Sequence, residues 1–415
     1  MKFIMIERRI LYFLLFLMLI LPDGYSQNST SSPFSIFGIG EIETRSFGRN
    51  AGMGNVETGF QSDNYINRSN PAALSGIDTL RFIIDVSAAI KFSELTTSSL
   101  KNRTTDFNFK SLAAGVRLNK RWTGSVGLSP YSNVGYNIRD RQHVRGTFDD
   151  YRFVMFSGSG GVNKFYWANA FELFRGFSVG ITSSYYFGNI THNEDTEVFS
   201  IVTTHNISKI SFDFGLLYKH RFGDHTNVTV GGTYNNEAKY SIQRSKMITS
   251  STALELSERL PDLKSYIPES YGAGFSISRN KKNAEWILAA DYKYQNWSVD
   301  KTRDKKWTYS DSHIYSAGLQ FTPNTRRTEK YIQAMRFQVG TCYNRSYLKV
   351  NGFQVEDYSV SLGVGLPFNN SSYVNIAAIA GESQTGKRGG ITERYVLLSV
   401  NLSLIDRWFA KYQWN

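Results

Sequence analysis

Six histidines, His143, His192, His205, His220, His225 and His313, and one cysteine, Cys342, are the residues of this 415-residue chain best suited to metal binding or nucleophilic chemistry. Such chemistry needs its groups brought together, as in a helical H-E-x-x-H pair or the serine of a G-x-S-x-G elbow. Neither pattern occurs, and the histidines are scattered over segments that read as loops or strand ends. A lone cysteine excludes an intrachain disulfide framework and a cysteine-based zinc site. The sequence therefore predicts no catalytic residue, no metal and no cofactor. A barrel lipase with a Ser/His pair drawn from different strands is the enzymatic reading left open.

Charge carries the next signal. The formal net charge is +12, and removing the N-terminal leader, with its three basic and two acidic residues, leaves +11. A surplus of this size suits acidic lipid head groups or acidic partner surfaces. The basic residues are spread among loops without a recognition element, so nucleic acid is not an expected partner. The densest basic run, Lys301 to Trp307, reads as a solvated loop.

Aromatic residues make up 15% of the chain, with 25 Tyr and 29 Phe. Their placement alternates. In the stretch 210–219, Ile210, Phe212, Phe214, Leu216 and Tyr218 oppose Ser211, Asp213, Gly215 and Lys219. The same period of two runs through 82–92, 177–188 and 358–366, which marks half-apolar strands. Further strands are expected at 105–118, 121–137, 154–172, 227–243, 269–279, 284–297, 309–322, 335–349, 373–381 and 394–405. The total is about 14, and short connections alternate with long ones, as in bacterial outer-membrane barrels. Two connections blur the alternation: 323–334 is long for a short-turn end, and 350–357 is short for an outer loop. A soluble sandwich would also alternate, without the length asymmetry. The expected fold is all-β, a transmembrane antiparallel β-barrel of about 14 strands over residues 79–405. Residues 406–415 form a periplasmic tail, and the piece 252–260 of the long loop 244–268 has short helical character.

Residues 1–26 have the layout of a cleaved secretory signal, with Lys2, Arg8 and Arg9 ahead of an apolar run too short to span a bilayer comfortably. An uncleaved membrane anchor is the competing reading. Between this signal and the first strand lies residues 27–78, rich in Gly, Asn and Ser and without strand or helix period. A barrel of about 14 strands has a lumen too wide for wall side chains to fill. The segment therefore reads as a plug, with Gly52, Met53 and Gly54 and the turn at Asn70, Pro71 and Ala72 as its backbone devices. A disordered periplasmic leader is the alternative. Alternation places Asp85, Lys91, Asp213, Lys219, Asp291, Lys293 and Arg336 on the lumen face, as anchors for the plug.

The stretches 34–41 ("FSIFGIGE"), 48–59 ("GRNAGMGNVETG") and 70–74 ("NPAAL"), with the signal and "IPESYGAGFS" at 267–276, resemble the FadL family of outer-membrane transporters of hydrophobic compounds. The resemblance covers essentially the whole mature chain and implies a 14-stranded barrel with an N-terminal hatch and a lateral wall opening near the third strand. It implies passive transport of a hydrophobic small molecule, with Phe34, Phe37, Met53, Phe60 and Tyr65 as ligand contacts. The chain departs from the family at its end, where the last strand is followed by "DRWFAKYQWN". Relatives of this kind also serve as accessory barrels in secretion or outer-membrane assembly complexes, so the expected partners are outer-membrane lipids and either a hydrophobic small molecule or other complex subunits.

Overall fold

The computed structural model describes residues 30–45, 47–97, 101–143, 150–250, 255–300, 307–325, 330–368, 372–386 and 390–407. The signal segment and most of the basic run 301–307 lie outside them, as does all of the tail beyond Arg407. The strands are β1 (Glu41–Ile42), β2 (Arg81–Thr96), β3 (Lys101–Arg117), β4 (Trp122–His143), β5 (Tyr151–Phe174) and β6 (Phe177–Asp195). They continue as β7 (Phe199–Phe222), β8 (Thr226–Asn235), β9 (Ala238–Ser250), β10 (Glu255–Ile267), β11 (Glu269–Lys281) and β12 (Ala284–Asn296). The last are β13 (Trp307–Tyr309), β14 (Ser312–Thr322), β15 (Arg336–Val350), β16 (Phe353–Pro367), β17 (Tyr373–Gln384) and β18 (Thr392–Arg407).

All pairings are antiparallel, and β18 pairs with β2 from Thr392↔Thr96 to Arg407↔Arg81, which closes the sheet into a barrel. Three wall strands are each interrupted once. β7 pairs with both β8 and β9, Pro268 separates β10 from β11, and β13 and β14 both pair with β15. Counting each interrupted strand once, the wall has 14 strands, the expected number. β1 lies outside this count and pairs with β4 from within.

The period-two pattern sorts side chains as the sequence predicts. On β7, Phe212, Phe214, Leu216 and Tyr218 face outward and exposed, while Ser211 and Leu217 face inward and are 1% exposed. Exposed aromatics gather in two rings. One holds Tyr185, Tyr234, Tyr271, Tyr292, Tyr315 and Tyr358; the other holds Phe171, Phe174, Phe222, Trp286 and Phe337. An apolar band between aromatic girdles is the outer surface of a membrane barrel.

Several expectations need correction. The described part of the piece 252–260, Glu255 to Leu260, is strand and not helix, paired with Thr249 to Arg244 of β9. Cross-strand pairing on a hairpin overrides the local helical preference. The long outer loops are for the most part strand extensions. The connection expected over 350–357 is a two-residue turn with Asn351 and Gly352 both at positive φ, 51° and 83°, the backbone such hairpin turns require. Wall strands start at Arg81 and end at Arg407, each two residues later than the expected bounds of 79 and 405. The long connection 323–334 contains one helical turn, Tyr331–Ala334.

The extensions are uneven around the barrel. Strands β4, β5, β6, β7, β9 and β10 rise well above the Tyr185 ring and form a tall half-wall on one side. From Tyr185 to the end of β6 at Asp195 is ten residues, about 33 Å of strand at roughly 3.3 Å per residue. The seam between β3 and β4 is incomplete. β3 and β4 pair only from Leu112↔Leu128 to Arg117↔Thr123, although β3 begins at Lys101 and β4 runs to His143.

Candidate functional site in the lumen

Residues 30–80 lie within the ring of strands and touch it nearly all the way round. Their own structure is three 3-10 turns, Pro33–Ile36, Arg49–Met53 and Pro71–Gly76, joined by irregular chain. Short turns dominate because Gly, Pro and Asn interrupt any longer period. The Asn70-Pro71-Ala72 turn is bound on both sides. The Asn70 carboxamide oxygen accepts from the Ala72 N–H at 3.0 Å, and its Nδ2 donates to the carbonyls of Thr58 at 2.8 Å and Leu216 at 3.0 Å. A side chain on Gly180 or Gly215 of the wall would run into Pro71 or Asn70, so bare backbone there admits the turn.

The Gly52-Met53-Gly54 stretch seats against the wall some five strands away, on β14, β15 and β16. Gly54 has φ +67° and lies close to the carbonyls of Ala317 and Thr341, a position closed to an L side chain on both counts. Met53 is fully buried, packed with Val56, Phe60, Ile287 and Ala289. Between these two contacts, Asp291 on β12 accepts three backbone N–H groups, from Glu57 at 2.5 Å, Thr58 at 2.6 Å and Gly59 at 3.3 Å.

Ion pairs complete the attachment. Arg45 binds Asp357 at 2.6 Å and also the Tyr395 hydroxyl, while Glu43 binds Lys110 at 2.6 Å. Lys91 bridges Glu393 at 2.5 Å and Glu41 at 3.9 Å. Ser31 reaches Asp106 through both its N–H and its hydroxyl, at 3.1 and 2.6 Å. The Arg45 guanidinium, enclosed by the lumen but paired with Asp357, is held well above its ordinary range.

Of the seven charges placed on the lumen face by alternation, Asp291 and Lys91 bind the N-terminal segment as anchors, and Asp85 accepts from the Ile66 backbone. Asp213 instead accepts from Asn235 and Ser184 of the wall, Arg336 stacks on Tyr373, and Lys219 is exposed at the short-turn end. Glu43, Arg45, Lys110, Asp357 and Glu393 carry much of the attachment and were not singled out by the sequence. Their partners lie up to several hundred positions away, and the bulge at Lys110 shifts parity locally. The available signal was charge at inward parity on short stretches of otherwise Ser- and Gly-rich face.

All five aromatic and Met positions expected to meet ligand are packed against protein. Tyr65 donates to Glu57, and Phe37 lies 5.9 Å from the Trp307 ring. Met53 and Phe60 share one buried cluster, and Phe34 sits with Ile39 and Ile42 among Tyr186, Trp297 and Tyr347 in the upper lumen. Tyr347 fastens that region, donating to the Gly40 carbonyl at 2.8 Å and accepting from the Ile42 N–H at 3.3 Å. Phe34 alone of the five borders a sizeable described cavity, one of about 110 Å³ also lined by Lys91, Asp106 and Lys110. A neighbouring cavity of about 190 Å³ is lined by Glu43, Arg45, Lys110, Lys164, Asp213 and Lys293. In both linings charged groups alternate with apolar ones, Ile42 and Phe47 among them, and an apolar guest there would cost the charges their hydration. Of the histidines, His192 bonds the Tyr136 hydroxyl at 2.8 Å and lies 5.1 Å, ring to ring, from His205.

A family model described as BamG matches residues 5–415. No curated protein matches the sequence. Among solved structures, the toluene transporter TodX of Pseudomonas putida is similar at TM-score 0.58 and 13% identity, covering 89% of this chain and 99% of that one. The toluene transporter TbuX of Ralstonia pickettii is similar at TM-score 0.57 and 13% identity, covering 86% and 98%. A FadL homologue of Pseudomonas aeruginosa is similar at TM-score 0.56 and 13% identity, covering 88% and 98%. At these identities the likeness establishes a shared FadL-like barrel fold.

Proposed function

The chain belongs to the BamG family, and from that premise and the chemistry of its lumen we propose that it is an accessory barrel subunit of an outer-membrane protein-assembly complex. The observation that carries this reading is the state of the lumen. The N-terminal segment is bound to the wall by ion pairs and by backbone bonds to Asp291, and the space left beside it has Glu43, Arg45, Lys110, Lys164, Asp213 and Lys293 on its wall among apolar residues. A passage for hydrophobic molecules needs an apolar, open route. Here residues 30–80 act as a fixed plug, with the Gly52-Met53-Gly54 and Asn70-Pro71-Ala72 stretches as its two seats. The barrel offers a rigid membrane-held frame and a tall outer half-wall, which are the parts an interaction subunit uses. Its apolar band and aromatic rings support residence in the outer membrane, in contact with lipid.

Passive transport is the second reading, favoured by the incomplete seam between β3 and β4. A cavity of about 280 Å³ lies there, lined by Phe107, Phe109, Leu128, Pro130 and polar neighbours. The structural relatives TodX and TbuX are toluene transporters by description. Purification of the tagged protein from native membranes in mild detergent separates the two. Stoichiometric co-purifying proteins are expected; a lone barrel carrying an apolar small molecule sinks the subunit role and supports transport.

A further inference from the structure

The seam between β3 and β4 leaves two strand edges without a ladder. β10 is also without a ladder on the side away from β9, though β11 below it is fully paired with β12, and both junctions flanking the β3–β4 seam are complete. β2 pairs with β3 up to Thr96↔Lys101, and β4 pairs with β5 up to His143↔Tyr151. The lower part of the β4 edge is occupied by the plug. The Glu43 backbone N–H donates to the Tyr131 carbonyl, β1 pairs with Ser132 and Asn133, and the Ser35 hydroxyl bonds both the N–H and the C=O of Gly135. These contacts identify which residues of β4 present backbone groups to the seam. By the period of two, Asn137, Arg139, Arg141 and His143 point theirs the same way. Among the described residues, none of these groups has a backbone partner on that side.

An edge of this length is an invitation to pair, which folded proteins ordinarily suppress with prolines, inward charges or a covering element. Among the described residues Tyr136 to His143 carries no proline and no covering element; its one charge at the inward parity of Tyr136 is Asp140, which takes the Arg141 N–H at 2.9 Å and leaves those of Asn137, Arg139 and His143. The segment spans about 26 Å at roughly 3.3 Å per residue. It lies above the Tyr185 aromatic ring, on the tall half-wall. Its flanks are basic. Arg139 and Arg141 are exposed and stack over Phe153 at 4.2 Å and Tyr151 at 4.0 Å, while Lys101 and Arg103 on the facing edge of β3 are both paired with Glu94. Stacked guanidinium groups keep their N–H edges free for carboxylates.

We propose that the Tyr136–His143 edge of β4 is a docking site for one extended strand of a second protein, acidic on the face it shares with Arg139 and Arg141, added to the sheet by backbone pairing. The proposal rests on the subunit reading above. A second copy of this chain is the wrong occupant, because antiparallel self-pairing about Asp140 sets Arg139 against Arg141 of the other copy. Backbone bonds supply the attachment, and the arginines select the charge of the strand.

The test uses the full-length protein in its native membrane, with a photo-crosslinking amino acid at Asn137 and purification of the intact complex in mild detergent. An adduct with a single co-purifying protein is expected, and it is lost when Arg139→Pro removes a seam-facing N–H that β5 does not use. Proline on an unpaired edge is compatible with the fold. The double change Arg139→Glu and Arg141→Glu keeps every N–H and is expected to lose the adduct by charge alone. Heat-modifiable migration confirms that each variant is a folded barrel. An adduct at wild-type yield in folded Arg139→Pro protein overturns the proposal, as does a complex that purifies intact with no adduct. An adduct between two copies of this chain overturns the choice of occupant. A barrel that purifies alone overturns the subunit reading, and the proposal with it.

Discussion

Asp291 holds the plug by accepting three consecutive backbone N–H groups, an arrangement no apolar residue can replace. Leaving buried donors unsatisfied costs about 1–3 kcal/mol each where water cannot reach them. Asp291→Ala is therefore expected to loosen residues 57–59 and speed reaction of Cys342 with a thiol reagent. Cys342 is the chain's one cysteine and is buried on the inner face of β15, so it reports on the plug without engineering. Unchanged labelling in folded Asp291→Ala protein would show that the anchor is dispensable. Glu41 gives a second residue-scale expectation. Burial raises its carboxyl above the usual range, with Lys91 pulling the other way. A pKa higher in the seated segment than in the free one favours seating below the free value, and this contribution is lost as pH rises through the raised value. Hydrogen exchange of residues 30–45, corrected for its intrinsic pH dependence, should therefore be slower in acid, and Glu41→Gln should flatten the profile.

At the scale of elements, plug and wall are fitted to one another through glycine. β6 and β7 each present a glycine, Gly180 and Gly215, where the turn at Asn70 to Ala72 comes closest. Gly215→Val places branched carbon where the Asn70 carboxamide lies. Overpacking of this kind costs about 1–3 kcal/mol, and here it falls on plug seating, since the same residue's outward neighbours still meet lipid. The expected result is a barrel that assembles normally, with protease cutting the N-terminal segment several-fold faster. Should β7 itself fail to assemble, as read from lost heat-modifiable migration, the glycine serves the wall and not the plug.

The whole molecule predicts a permeability phenotype. A 14-stranded ring without its filling is a pore, because wall side chains do not reach across it. Deleting residues 38–70 should leave an assembled barrel that admits a large polar antibiotic, while the intact chain stays closed. Unchanged antibiotic sensitivity with the deleted barrel present in the membrane would refute the plug. If the chain is a complex subunit, its loss should also leave uptake of aromatic hydrocarbons unchanged and lower the yield of other outer-membrane barrels.

The wall was legible in the sequence because its rule is local. Alternation such as Phe212, Phe214, Leu216 and Tyr218 against Ser211, Asp213 and Gly215 follows from lipid on one side and a polar lumen on the other, whatever the strand's neighbours. Strand number and the asymmetry of connections came from the same rule repeated. The segment around Gly52 to Gly54 and Asn70 to Ala72 was legible as something that is neither helix nor strand and needs an enclosure. Tertiary structure alone decided what meets it: Arg45 with Asp357, Glu43 with Lys110, and Asp291 with three N–H groups of residues 57–59. No period connects positions so far apart, and the bulges at Lys110 and Tyr131 shift the parity from which inward charges are counted. The open edge of β4 was equally hidden, since a strand's own residues specify its faces, and only its neighbour's path determines whether its backbone is paired.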